Sequence, residues 1–248
     1  MGTLPATSKE ETAMTTRIDR RTALAATLTA GVMLAAQGCA TAQQSAAAVS
    51  LKGYQAKPLP FDPKTIPGLS ERILVSHHDN NYVGAVTRLG AIEAQVAQLD
   101  PAAPGFMFNG LKREELLAMN SMILHELYFA SLGRGGSKPG PQLATQIEKD
   151  FGSQQKWRDQ FVAMGKALGG GSGWVLLMWS PRAGKLVNQW AADHTMAIAD
   201  GRGLIALDMY EHAYHMDFGA KAAAYVDAYM GALDWANADR EFVRTGAS

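Results

Sequence analysis

Two of the six histidines of this sequence lie in one short stretch, DMYEHAYHMDFG (208–219), directly after the apolar run GLIAL. Asp208 therefore closes a predicted buried strand, where a carboxylate is costly unless it is paired, hydrogen-bonded or bound to a metal. His212 follows four residues later, past the turn out of that strand, so the two side chains could converge on one point. The spacing Asp-x-x-x-His is common, however, and alone it also fits an ordinary structural pair.

A third candidate, His125, lies in a predicted helix. Spacings of three, four and seven place its imidazole on a core-facing side of that helix. The apolar residues on that face are Ala118, Met122, Phe129 and Leu132. A lone histidine there is more often a hydrogen-bonded core residue than a ligand, but His77 and His78 on the preceding helix supply a further nitrogen. Three imidazoles with one carboxylate suit iron or manganese.

The helices that carry these histidines are predicted to form the first half of the fold. The elements are an extended arm without a helix over 43–68, a first helix from Ser70 to Asp100, a loop over 101–110 and a second helix over 111–133. Apolar residues recur at helical spacing, Ser70 can cap the first helix and Asp100-Pro101 ends it. Two long helices with a modest connection indicate an antiparallel hairpin over residues 69–134.

The second half, residues 135–248, begins in the glycine-rich segment GRGGSKPGP. Its predicted elements are helices over 141–151 and 153–168, strands over 173–180, 184–192 and 203–208, and a closing helix over 219–240. The first two strands flank PRAG and form a predicted hairpin. The fold class is therefore α+β: an N-terminal antiparallel helical hairpin, followed by a domain with a three-stranded antiparallel sheet flanked by helices.

The N-terminal 42 residues are predicted to be a twin-arginine export signal rather than part of the fold. Arg20 and Arg21 precede a short, moderately apolar segment, too short for a stable membrane span, and small residues follow. The end of the signal allows two interpretations. Cleavage after Ala42 would release a soluble periplasmic protein, whereas acylation of Cys39 would leave a lipid-anchored one.

Composition excludes several classes of function. The 248 residues carry a formal net charge of zero, and the predicted folded region has no run of Lys or Arg, so nucleic acid is not an expected partner. Cys39 is the single cysteine, which excludes an intramolecular disulfide framework and a four-cysteine metal cage. Any metal must bind nitrogen and oxygen ligands.

The order of these motifs resembles the iron/manganese superoxide dismutases across the whole mature chain. DMYEHAYHMDFG is similar to that family's Asp-x-Trp-Glu-His-Ala-Tyr signature, and LGGGSGW contains its Gly-Ser-Gly-Trp. The resemblance implies one iron or manganese ion per chain, bound by His77, His125, Asp208 and His212, with His78 as a non-ligand. It further implies dismutation of superoxide to dioxygen and hydrogen peroxide as the metal cycles between divalent and trivalent states. Glu211 matches a glutamate that reaches a partner subunit's ligand, which implies a homodimer.

The surroundings of the ligands depart from the family pattern. Ala85 stands where the family has a tyrosine and Asn81 where it has a histidine. The glutamine that bonds the metal-bound solvent is expected four residues before the second ligand or just before Gly-Ser-Gly-Trp, and Ser121 and Gly170 stand there. Trp174 is retained, and three further departures are Leu176 for an aromatic residue, Tyr210 for the signature tryptophan and His215 for a frequent tyrosine.

These departures leave a second functional hypothesis open. The first is an exported superoxide dismutase. The alternative is a periplasmic metal-binding or interaction protein of the same fold with weak or no dismutase activity, because outer residues tune the metal and deliver protons. A hydrolase has no nucleophile motif behind it. His194, in AADHTMAIADG, is interpreted as an ordinary loop histidine, and the choice between iron and manganese stays open because the expected glutamine is missing.

Overall fold

The helices and strands are taken from a computed structural model, which describes residues 54–247. All of these residues fall within one compact unit. The helices are α1 (Glu71–Ser76), a π-helical segment (His77–Tyr82), α2 (Val83–Gln98), α3 (Gly105–Ala130), α4 (Pro141–Phe151), α5 (Gln154–Ala167), α6 (His215–Phe218), α7 (Ala222–Ala232) and α8 (Ala236–Arg244). The strands are β1 (Trp174–Ser180), β2 (Lys185–Ala191) and β3 (Arg202–Asp208).

The first long helix starts where the sequence predicts, because the Ser70 hydroxyl accepts a hydrogen bond from the Ile73 N–H. It continues through α1, the π-helical segment and α2 without a break. The π-helical turn was not predicted, and it begins at His77. Such insertions are rare and cluster at functional sites, because the extra residue rotates the side chains around it.

The second long helix corrects the prediction of a loop over 101–110. Helix α3 begins at Gly105, directly after Pro104, and it ends at Ala130 instead of 133. Phe106 at its start is 76% exposed, so the first turns of α3 lack the core-facing apolar pattern by which a helix is predicted from sequence. Helices α2 and α3 pack on each other and form the predicted helical hairpin.

The arm over 43–68 also needs a correction within its described part. A 3-10 turn spans Pro63–Thr65, where no helix was predicted. The Asp62 side chain accepts from the Lys64 N–H, and proline fits the first position of the turn because its missing N–H would be unpaired there.

The sheet has the order β2-β1-β3 and is antiparallel throughout, as predicted. Strand β1 is central and every residue of it is buried. Trp174 on β1 pairs with Asp208 on β3, which places the tryptophan of the Gly-Ser-Gly-Trp motif beside the candidate carboxylate. The Gly-Ser-Gly-Trp motif has a physical reason here: Gly173 has a φ of 127°, and a Cβ would collide with the Ala191 carbonyl.

The closing helix over 219–240 was predicted as one piece, and this is wrong. It is split into α7 and α8, since Leu233 is extended and pairs with Leu132 after α3. The Asp234 N–H donates to the Ser131 carbonyl, and the Asp234 carboxylate accepts from the Ala236 N–H at the start of α8. Contacts with the end of α3 therefore override the helical pattern of the sequence.

Among residues 54–247, no helix combines the length and apolarity that crossing a bilayer requires. The predicted signal segment, with Arg20, Arg21 and Cys39, lies outside the described residues.

Candidate metal centre

Four side chains meet in the core, one each from the π-helical segment, α3, the end of β3 and the 3-10 turn Glu211–Ala213 that follows it. They are His77, His125, Asp208 and His212, and one ligand atom from each lies within 4.8 Å of all the others. The Nε2 atoms of the three histidines face the same oxygen, Oδ2 of Asp208, at 3.1, 3.6 and 3.2 Å respectively. The structure thus brings together the four residues that the sequence singles out.

The hydrogen bonds of this cluster fix the orientation of two of its members. The Tyr210 N–H donates to Oδ1 of Asp208 at 2.8 Å, so Oδ2 is the oxygen left to face the histidines. Nδ1 of His125 lies 2.6 Å from the Ser121 carbonyl, which can only accept, so Nδ1 carries the proton. Nε2 of His125 therefore presents a lone pair toward the carboxylate.

That arrangement fits a cation between the side chains. Nε2 of His125 and Nδ1 of His77 are buried and have no hydrogen-bond partner among the described residues. A lone pair that faces a carboxylate oxygen at 3.6 Å is repulsive unless a positive charge lies near both. Three nitrogens and one oxygen are also a donor set that iron and manganese accept.

Burial sets the charge of the donors. It lowers the pKa of His77 below its ordinary value and that of His125 to about 3, so both imidazoles are neutral at physiological pH. Burial acts to raise the pKa of Asp208, but His212 and His77 outweigh it and hold that pKa well below its ordinary value. The donors carry one negative charge, so a divalent or trivalent ion would leave the site positive and attractive to a small anion.

The residues predicted around the ligands occupy different positions. Trp174 is fully buried, with its ring edge-on to His125 at 5.3 Å between centroids. Tyr210 stacks on His212 at 5.4 Å, and burial raises the pKa of its hydroxyl to about 12. Its hydroxyl is therefore protonated at neutral pH. Ser121 acts through its carbonyl, which orients His125, rather than as a substitute for glutamine.

An open pocket of about 400 Å³ lies beside the cluster. Its lining includes Asn81, Ala85, Ser121, His194 and Tyr210. Two of these, Asn81 and Ala85, are the positions where the family pattern has a larger histidine and tyrosine, so the short side chains leave room there. None of the four cluster residues lines the pocket, but Ser121 bonds His125 and Tyr210 stacks on His212, so the pocket lies directly next to the cluster.

His194 is the residue that the sequence analysis missed. The Trp174 Nε1–H donates to its Nδ1 at 3.3 Å, and the Asn120 side chain holds its backbone carbonyl at 2.6 Å. Its ring lies 6.2 Å from that of His125 and 4.9 Å from that of Tyr210. It belongs to a loop, as predicted, yet the loop lies against the site. The position of His194 follows from the pairing of β1 with β3 and from the path of the β2–β3 connection. The sequence around His194 has no periodic pattern that would predict it.

The remaining predicted positions lie away from the pocket. Gly170 is exposed and does not line it, so no glutamine substitute is found there. Glu211 and His215 are exposed in the single chain. The homodimer therefore stays a prediction. His78 lies within hydrogen-bond distance of the Lys57 carbonyl and the Asp79 carboxylate and does not join the cluster.

Comparisons with known proteins agree with this architecture. The family model for the C-terminal domain of iron/manganese superoxide dismutases matches residues 139–241. The iron superoxide dismutase of Cupriavidus metallidurans is 62% identical over 76% of this chain and 96% of its own. A manganese superoxide dismutase of Halobacterium salinarum is 32% identical over 73% and 91%, and the iron superoxide dismutase of Pyrobaculum aerophilum is 29% identical over 77% and 93%.

These relatives span both halves of the fold and take in nearly their full lengths, and the site geometry and the motif order agree with them. The chain belongs to the iron/manganese superoxide dismutase family.

Proposed function

We propose that this protein is an exported superoxide dismutase that binds one iron or manganese ion through His77, His125, Asp208 and His212. The observation that carries the proposal is the convergence of three Nε2 atoms on one carboxylate oxygen, with the Nε2 lone pair of His125 left without a partner. The name of the 62% identical relative favours iron.

The bound metal would supply the electron exchange that turns two superoxide ions into dioxygen and hydrogen peroxide. The residues of the chain supply the remainder. The pocket beside Ala85 would admit the anion. With a single carboxylate among the four donors, a bound divalent or trivalent ion would keep a net positive charge, and buried Trp174 limits water behind it. Reduction also consumes two protons, so a proton donor is needed at the pocket.

His194 is suited to donate a proton or a hydrogen bond there. Because Trp174 donates to Nδ1, the neutral ring carries its hydrogen on Nε2, and burial lowers the pKa of His194 so that the neutral form dominates. We infer that His194 does the work that the family pattern gives to glutamine. Tyr82, a nearby tyrosine, is not available for this role, because its hydroxyl donates to Glu126 at 3.0 Å and it does not line the pocket.

The alternative function is a metal-binding protein of the same fold without fast turnover. Ala85 and Ser121 favour it, since both replace side chains that the family pattern uses around the metal. It predicts the same ligands and the same metal content, so only a rate per metal ion separates the two functions.

The deciding measurement is the rate of superoxide decay per bound ion, on residues 43–248 loaded separately with iron and manganese. We expect fast decay with iron, and a loss of about 10- to 100-fold in a His194→Ala variant with unchanged metal content, the range typical of residues that orient a metal site. His194→Gln should retain more activity than His194→Ala. Decay no faster than the spontaneous reaction with both metals would support the alternative function.

The proposal of export rests on the paired arginines and the apolar segment after them. Replacing Arg20 and Arg21 by lysine should shift the protein from the periplasmic to the cytoplasmic fraction and leave its signal uncleaved. An unchanged distribution would contradict export by this route.

The same cell fractions would distinguish the two interpretations of where the signal ends. Incorporation of labelled fatty acid that disappears in Cys39→Ala would indicate the lipid-anchored form. An N-terminus after Ala42 with no label would indicate the soluble form.

A further inference from the structure

Two hydrogen bonds join segments that are far apart in sequence, at the outer end of the metal centre. Oδ2 of Asp217 accepts from the Ser70 N–H at 2.7 Å, and Oδ1 accepts from the Ser70 hydroxyl at 2.7 Å. Ser70 lies seven residues before His77, and Asp217 lies five residues after His212. We propose that Asp217 is a positioning residue, which through Ser70 keeps His77 and His212 together and slows the loss of the metal.

The link from Ser70 to His77 is rigid. The Ser70 hydroxyl caps α1 by accepting from the Ile73 N–H at 3.1 Å while it donates to Asp217. The Leu74 N–H donates to the Ser70 carbonyl, and the His77 N–H donates to the Ile73 carbonyl. Ile73 and Leu74 are buried, so α1 cannot turn about its axis without breaking core contacts. A displacement of Ser70 is therefore transmitted to His77.

The link from His212 to Asp217 is rigid as well. The Tyr214 N–H donates to the Glu211 carbonyl, and the Asp217 N–H donates to the Tyr214 carbonyl, both at 3.1 Å. Tyr214 is buried and stacks on Tyr225 of α7 at 5.4 Å between ring centroids. The segment from His212 to Asp217 thus behaves as a short folded arm rather than a loose loop.

The segment from Ser70 to His77 and the segment from His212 to Asp217 come together at the ligand cluster and at the Ser70–Asp217 contact. Seven residues of helix rise about 10 Å, so the outer contact lies well beyond direct reach of the metal. A third bond supports it, from the Arg72 guanidinium to the Met216 carbonyl at 3.2 Å. A contact that holds two ligand-bearing segments together lowers the conformational-entropy cost of metal binding. The donor atoms then stay in place even when the metal is absent.

His212 is the most exposed of the four proposed ligands, so we expect the ion to leave past its segment. Its side chain is 27% exposed, against 1% for His77 and 0% for Asp208. The arm that carries His212 is also the one that Asp217 ties to α1. Loss of the outer contact should therefore raise the rate at which the metal dissociates, while the ligand set stays intact.

This inference rests on the proposed metal site, and its test does not use superoxide. We would load the full mature chain with manganese, add excess EDTA and follow metal release, for wild type, Asp217→Ala, Asp217→Asn and Ser70→Ala. We expect release from Asp217→Ala and Ser70→Ala to be about tenfold faster, the lower end of effects from residues that orient ligands. Asp217→Asn, which keeps one acceptor oxygen, should lie between them and wild type.

Ser153→Ala is the matched control. Ser153 caps α5 as Ser70 caps α1, by accepting from the Lys156 N–H at 3.1 Å, but within residues 54–247 its side chain bonds no segment that carries a proposed ligand. Release unchanged in Ser153→Ala and faster in the Ser70 and Asp217 variants would support the proposal. Equal acceleration in all variants would show general destabilisation and overturn it, as would no acceleration in Asp217→Ala.

The visible absorption band of the trivalent ion gives a second readout. A shifted band in Asp217→Asn, at full metal content, would show that the ligand geometry itself depends on the outer contact, and an unshifted band together with wild-type release would overturn the proposal. A wild-type chain that binds no manganese or iron at all would instead contradict the proposed function.

Discussion

Replacing Asp208 by alanine is expected to abolish metal retention. Asp208 is the one carboxylate of the cluster, and its Oδ2 is the atom that all three Nε2 atoms face. Structural zinc sites with four ligands bind with about 10–16 kcal/mol, and on that scale an even share for one ligand is about 3 kcal/mol, or roughly a hundredfold in affinity. Loss of the compensating negative charge should increase this further. Metal content after dialysis and a chelator titration would measure it.

The control for this variant is Asp200→Ala. Asp200 is also a carboxylate with two tight hydrogen bonds, from the Ser180 hydroxyl at 2.8 Å and the Arg182 N–H at 2.9 Å, but it does not belong to the cluster. Asp200→Ala should keep its metal, and circular dichroism should show both variants folded. If Asp208→Ala kept its full metal content, the ligand assignment would be wrong.

Three of the four proposed ligands have a local signal in the sequence, whereas His77 is preferred to His78 only through the family resemblance. Asp208 ends an apolar run, His125 shares a helical face with apolar residues and His212 follows at a fixed spacing. The strands were predictable for the same reason, since β1 and the buried end of β3 read as continuous apolar runs. Such local patterns predict structure well, because the need to bury apolar side chains determines where they occur in the sequence.

The parts that failed depend on contacts between distant segments. The break between α7 and α8 is made by Leu132 and Ser131 at the end of α3, about a hundred positions away in sequence. The start of α3 at Gly105 carries exposed apolar residues, so its pattern points to no core. His194 reaches the site through Trp174 and Asn120, neither of which is near it in sequence. No periodicity in one sequence records such contacts.

A second large effect is expected on the metal-free protein, whose free energy of unfolding should fall as the pH is lowered from 6.5 to 5. Above pH 6.5, His125 is neutral in both the folded and the unfolded chain. Below it, the unfolded chain binds a proton at this residue while the folded chain does not, because burial lowers the folded pKa to about 3. The contribution of His125 to the free energy of unfolding is therefore fully present above the pKa of the unfolded chain. It falls by about 2 kcal/mol as the pH is lowered from 6.5 to 5. His77 acts in the same direction.

Thermal unfolding of metal-free protein would show the effect as a drop in Tm of about 4–8 °C from His125 alone. In His125→Asn, which carries no titrating group at that position, the drop should be smaller by that amount. Equal slopes in wild type and His125→Asn would mean that the buried imidazole does not resist protonation.

The same burial that costs stability in acid prepares the site for a metal. A ligand histidine must be deprotonated, and a site whose donors are protonated at working pH has to release protons before it binds. His125 is already neutral, its proton is held on Nδ1 by the Ser121 carbonyl, and its lone pair faces Asp208. Metal affinity should therefore change little with pH between 7 and 5 at this ligand, although the metal-free fold weakens over the same range. A bound ion offsets that weakening, since it occupies the site that a proton would have to enter.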